Sequence, residues 1–153
     1  KFSDNGFSNE IVSTDGTPLV AMLQKIALKN KFTVATVESC TGGGIGSLLT
    51  ALPGSSGYYA GGYVTYSNAL KAKLGVSEDT LIRYGAVSGE VVKEMALQGR
   101  NKSGADFCIA VSGIAGPDGG TAEKPVGLVW MAIAHPDGVD IFEKNFKFYL
   151  FLS

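Results

Sequence analysis

Histidine is almost missing from this chain, and the groupings that metal and triad chemistry need are missing with it. One histidine, His135, and two cysteines, Cys40 and Cys108, stand among 153 residues. Neither cysteine belongs to a C-x-x-C pair, so no zinc site has workable ligand spacing. A carboxylate site for Mg²⁺ or Ca²⁺ around Asp118 and Glu123 has no ligand spacing to support it either. A Ser-His-Asp or Cys-His mechanism would have to use His135, which stands before a turn at a strand end and reads as structural. Excess charge is also missing. Thirteen Lys and Arg against 14 Asp and Glu leave a net −1, which argues against binding to nucleic acid or to an anionic membrane. No apolar run reaches the ~18 residues of a membrane span, and no signal peptide opens the chain. So few cysteines fit a reduced, cytoplasmic setting.

Glycine is plentiful, at 21 residues and without a period. That composition fits many tight turns, or places where a ligand comes close to the backbone. Residues 1–16 read as a loose polar lead-in, and 17–153 as one domain. Thr17 and Pro18 predict an N-cap and first helical residue. Leu19, Met22, Leu23, Ile26 and Ala27 then form one apolar helical face, closed by Lys29 to Lys31. "FTVATV" (32–37) predicts a buried strand, and "GGIGSLLTAL" a second helix. "PGSSG" (53–57) is a turn, and "YYAGGYVTY" (58–66) a strand interrupted by glycines. Ser67 and Ser88 cap further helices. Strands follow at 107–113, 126–135 and 138–148, the last two joined by a Pro136-Asp137-Gly138 turn. The alternation of strands and helices predicts an α/β fold, and the terminal hairpin makes its sheet mixed.

The stretch "VESCTGGGIG" (37–46) fits no familiar motif. It lacks the Lys of a P-loop, the spacing of a dinucleotide fingerprint and the first Gly of a G-x-S-x-G elbow. As a strand-to-helix turn it places Ser39 at the C-terminal edge of the sheet, where open α/β sheets bind ligands. The amides of Thr41, Gly42 and Gly43 then become first-turn donors for a phosphate or an oxyanion. A capped turn without chemistry accounts for the same residues equally well. Glu38 has two readings, orienting the turn or a substrate hydroxyl, or serving as a buried structural carboxylate.

With no usable histidine or metal, a nucleophile here needs Lys or Tyr as its base. "TYSNALKAK" (65–73) supplies both. Lys71 falls in the first turns of a helix capped by Ser67, where the helix dipole and burial disfavour its charged form. Tyr66 then relays a proton between Ser39 and Lys71, or holds them in register. Alternatively Lys71 belongs to a solvated helix face.

Four stretches together carry a resemblance: "VESCTGG" (37–43), "PGSSGYYAGGYVTYSNALKAKLGV" (53–76), "YGAVSGEVVKEMA" (84–96) and "VSGIAGPDGGTAEKPVGLVW" (111–130). In this order they resemble the CinA C-terminal domain family, whose stand-alone members are nicotinamide mononucleotide deamidases of the PncC type. The resemblance implies a three-layer α/β/α sandwich that hydrolyses a pyridine nucleotide carboxamide, without cofactor or metal. It puts the catalytic Ser, Tyr and Lys on Ser39, Tyr66 and Lys71. Gly42 and Gly43, with Thr41 beside them, would hold the oxyanion. Asn68, Ser112, Gly113, Ala115 and Gly116 would line the nucleotide pocket. Family members continue past the last strand with a Gly-Asp-Arg element and another helix. Residues 145–153 carry neither, which leaves the phosphate contact unassigned. Their apolar "FYLFL" suits the core or a second subunit, a homo-oligomer in that case. Two further readings stand: Cys40 as the nucleophile, and a nucleotide-binding module of the same fold without turnover.

Overall fold

The computed structural model describes residues 16–146. Most of the expected lead-in, and the apolar end "FYLFL", lie outside them. Five strands form one mixed sheet in the order β2-β1-β3-β4-β5. They are β1 (Val34–Glu38), β2 (Tyr59–Val64), β3 (Phe107–Gly113), β4 (Leu128–His135) and β5 (Gly138–Asn145). β1 lies between β2 and β3, parallel to both, and β4 and β5 add antiparallel strands. Every residue of β1 is buried, as expected of a central parallel strand covered on both faces.

Helices lie on both faces. On one side α5 (Gly89–Ser103) packs on Val37, Cys108 and Ala110, with α3 (Asn68–Leu74) and α4 (Glu78–Tyr84) beside it. On the other side α1 (Leu19–Asn30) and α2 (Gly44–Leu49) bury Val34 and Tyr58, with Phe107 and Ile109 alongside. The architecture is the α/β sandwich with a mixed sheet that the sequence predicts. The α1/α2 side leaves the end of the sheet thinly covered, and Phe142, cross-strand from Met131, is 46% exposed. Among the described residues no helix is long and apolar enough to cross a membrane.

Helix ends follow local chemistry. The side chains of Ser67, Ser77 and Ser88 accept hydrogen bonds from the amides of Leu70, Thr80 and Val91. α1 starts one residue later than Thr17-Pro18 predicts. Pro18 itself is the N-cap, with an extended ψ of 141°, because its ring leaves no amide to be satisfied. The sequence reading passes over α4, although Ser77 followed by Glu78 and Asp79 is a start signal.

α5 comes unusually close to the sheet at Gly99. A Cβ there would overlap Val37 Cγ2 and Cys108 Sγ. Two effects oppose each other in Gly99→Ala. Helix propensity gains about 1 kcal/mol, and overpacking a buried seam costs typically ~1–3 kcal/mol. Both groups that the Cβ would meet are fully buried and cannot move aside, so the cost wins. Urea unfolding of Gly99→Ala should show a lower midpoint, with a net loss of up to about 2 kcal/mol.

Candidate active site

The site forms where β1, β2 and β3 end. Side chains alternate along β1, so Glu38 points towards α2 and Ser39 towards α3. Lys71, halfway along α3, turns inward and is only 1% exposed. Its Nζ lies 2.9 Å from Ser39 Oγ, 2.8 Å from the Thr65 carbonyl and 3.3 Å from the Tyr66 carbonyl. The register of the sheet sets this distance. Thr65 N–H donates to the Glu38 carbonyl, and Ser39 N–H to the Val111 carbonyl. The residues that hold Lys71 and the residue it faces are therefore tied to the same strand end.

Burial lowers the pKa of Lys71 from its ordinary 10.5, with Cys40 pulling weakly the other way. The direction matches the sequence expectation, but the cause is desolvation alone. Lys71 is the fourth of the seven residues of α3, and its Nζ reaches back to the carbonyls of Thr65 and Tyr66, which precede the Ser67 cap.

Tyr66 departs from its expected place. Lys71 contacts Ser39 directly, so no hydroxyl stands between them. The Tyr66 side chain is 67% exposed, and its phenol has no hydrogen bond among the described residues. It contributes its carbonyl to Lys71, and the residue lines the cleft.

The glycine turn differs more. Its amides are already engaged. Gly43 and Ile45 donate to Glu38 Oε2 at 3.1 and 3.0 Å, and Gly46 donates to Oε1 at 2.7 Å. The Thr41 hydroxyl adds a fourth bond at 2.6 Å. Gly42 donates to the Ser39 carbonyl. Of the three donors expected to face a substrate, Gly43 serves the Glu38 carboxylate and Gly42 the Ser39 carbonyl, while the Thr41 amide serves neither. The amides of Cys40 and Thr41 are not among the donors to the Glu38 carboxylate. Burial alone would raise the Glu38 carboxyl. The Thr41 hydroxyl and the three amides outweigh it, and the net shift is downward. The turn needs its glycines, since Gly42 and Gly43 have φ of 58° and 101°, a region that side chains disfavour.

Ser39, Cys40, Tyr66 and Lys71 open on a cleft of about 290 Å³. Of the residues predicted to bind substrate, Ser112, Gly113, Ala115 and Gly116 line it. Thr41, Gly42, Gly43 and Asn68 do not. Ala86, Val87, Ile114 and Asp118 complete the wall. Ala86 and Val87 were not singled out from sequence, because nothing in an apolar pair before a helix cap marks it as part of a site. Two contacts fasten their loop. Ser112 Oγ donates to the Ala86 carbonyl at 2.7 Å, and Lys124 Nζ donates to the carbonyls of Tyr84 and Val87. Cys40 is half-buried, with its sulfur against Gly113. Burial pushes its thiol up, against the pull of its own amide and of Lys71. Cys108 is pushed up to about 12 by burial in the core. His135 lies at the opposite end of the sheet, 3.4 Å from Asp140, and takes no part in the cleft.

Comparison with known proteins agrees with this fold. The family model described as CinA C-terminal domain matches residues 16–148. A nicotinamide-nucleotide amidohydrolase PncC of Enterobacter agglomerans is 58% identical over 114 residues, which are 73% of this chain and 70% of that protein. A CinA-like protein of a Cyanothece species is 46% identical over 135 residues, 88% of this chain and 32% of that protein. The chain thus spans about a third of the longer relatives. Among solved structures, a CinA superfamily protein of Escherichia coli superposes with a TM-score of 0.82 at 34% identity, covering 86% of this chain and 77% of that one. A competence/damage inducible protein of Agrobacterium tumefaciens gives 0.76 at 39% identity, over 86% and 82% of the two chains. With its α/β sandwich, its glycine turn and a family match spanning nearly the whole sequence, the chain belongs to the CinA C-terminal domain family.

Proposed function

We propose that this domain is a serine amidohydrolase that converts nicotinamide mononucleotide to nicotinate mononucleotide and ammonia. The observation that carries the reading is the buried Lys71 amine 2.9 Å from Ser39 Oγ. The similarity to a PncC amidohydrolase supports the substrate class.

A neutral amine has two N–H bonds and one lone pair. The carbonyls of Thr65 and Tyr66 take the two N–H bonds, which leaves the lone pair aimed at the Ser39 hydroxyl. Ser39 Oγ attacks the carboxamide carbon as Lys71 accepts its proton. The developing oxyanion is met by the Cys40 and Thr41 amides, which bond neither Glu38 nor a backbone carbonyl among the described residues. Collapse of the tetrahedral intermediate breaks the C–N bond. Lys71 returns its proton to the leaving nitrogen, and ammonia departs. Water then attacks the ester with Lys71 again as base, releasing the carboxylic acid and the free Ser39 hydroxyl. The loop from Ser112 to Gly116 and the wall of Ala86 and Val87 hold the nucleotide.

Purified protein incubated with nicotinamide mononucleotide should release ammonia and nicotinate mononucleotide in equal amounts. No release by the wild type would sink the reading. Ser39→Ala and Lys71→Met should each lower kcat by about a thousandfold or more. Lys71→Arg should be as inactive, since a guanidinium does not give up its proton. Cys40→Ala should stay within about tenfold of wild type, and loss of activity in that variant alone would make Cys40 the nucleophile.

The rate also has a signed pH dependence. Lys71 works as the neutral amine, and burial depresses its pKa. The active fraction therefore grows as pH rises, and kcat falls towards acid by about tenfold per pH unit below that pKa. A kcat profile flat down to about pH 5 would remove Lys71 as the base.

A further inference from the structure

We propose that Glu38 is the positioning residue of the nucleophile, an internal carboxylate that fixes the turn carrying Ser39 by occupying the start of α2. The inference rests on Ser39 as the attacking group. It adds a residue that touches neither substrate nor the reacting atoms.

Three observations carry it. First, α2 is too short to hold itself. It has six residues, and isolated helices below about 12 residues are marginal in water. Second, the segment before it is the most flexible type of backbone, with glycine at 42, 43, 44 and 46, and ordering glycine costs the most entropy. Some fixed contact must hold this turn, and its own contacts are few. Third, Glu38 makes four hydrogen bonds across that stretch while only 1% exposed. Bonds from a charged acceptor in a buried place are the strong ones. The same residue ends β1, and its carbonyl binds Thr65, which in turn holds Lys71. One residue thus orders both the turn that carries the nucleophile and the strand end that holds the base.

The charge is what the arrangement requires. The partners are one hydroxyl and three amides, all donating. A glutamine would present its own NH₂ to some of them, donor against donor, and leave buried amides unpaired. The same occupancy takes α2 out of use as a phosphate cradle, since its donors already serve an anion.

The test combines amide exchange, which does not depend on any reaction, with kinetics. In Glu38→Gln, hydrogen exchange at Gly43, Ile45 and Gly46 should speed up by about tenfold or more. Exchange at Val92 and Ala110, in the core, should hold. With nicotinamide mononucleotide, kcat should fall by about a hundredfold while KM stays within about threefold. Thr41→Val, which removes one of the four bonds and keeps the carboxylate, should lie between. It also covers the case in which Glu38→Gln fails to fold. Asp106→Asn serves as a control for instability alone. Asp106 binds the amide and hydroxyl of Thr33 at the far end of the sheet, so that variant should lose melting temperature and keep kcat. Unchanged exchange in the turn would overturn the proposal. So would a kcat at wild-type level, a change confined to KM, or a loss no larger than in an equally destabilised Asp106→Asn. If the wild type hydrolyses no nicotinamide mononucleotide, the functional reading fails, and exchange alone decides whether Glu38 holds the turn.

Discussion

An amine that is 1% exposed, with three oxygens around it, is the constraint on which the rest of this site depends. A solvated lysine is charged at neutral pH and useless as a base. Removing water from Lys71 disfavours the charge. Two backbone carbonyls then fix how the amine is turned. The fold meets these demands with ordinary parts: a seven-residue helix capped by Ser67, and the end of β2 held in register against Glu38. The desolvation that brings the amine towards neutrality opposes stability, as is usual where pKa values are shifted for chemistry.

The opposite charge is handled by the opposite means. Glu38 is as deeply buried as Lys71, yet its net shift favours the ionised form, because four donors converge on it. Two buried ionisable groups, Glu38 at the end of β1 and Lys71 facing the residue that follows it, are pushed towards opposite states, ionised and neutral, by different environments. They lie on opposite faces of the sheet because side chains alternate along β1. No salt bridge joins them among the described residues, and such a pair would have favoured the charged form of Lys71.

Much of the fold is legible in the chain. Serines at 67 and 88 announce helix starts, and the helices begin there. The Pro136-Asp137-Gly138 turn announces the hairpin of β4 and β5. These are local signals carried by neighbouring residues. α4 is as short as α3 and its Ser77 cap is as legible as Ser67, so its start is readable and its period is not. The start of α1 shifts by one residue because Pro18 suits both the cap and the first helical position. In the site, Ser39 and Lys71 are reached by eliminating histidine and metals and then through family resemblance. Their separation is not readable, since it depends on contacts between residues 32 positions apart.

By itself the sequence determines residue types and local geometry: an α/β alternation, a glycine turn after a buried strand, and a serine and a lysine with no histidine to help them. Tertiary structure decides who meets whom. It takes the amides of Gly43, Ile45 and Gly46 away from the substrate and gives them to Glu38. It places Lys71 directly on Ser39 and leaves the Tyr66 side chain exposed, out of reach of both. It brings Ala86 and Val87 to the wall through Ser112 and Lys124. The physical reason is the same in each case. A buried hydrogen-bonding group takes a partner that the fold brings within reach, and residue types alone do not say which one.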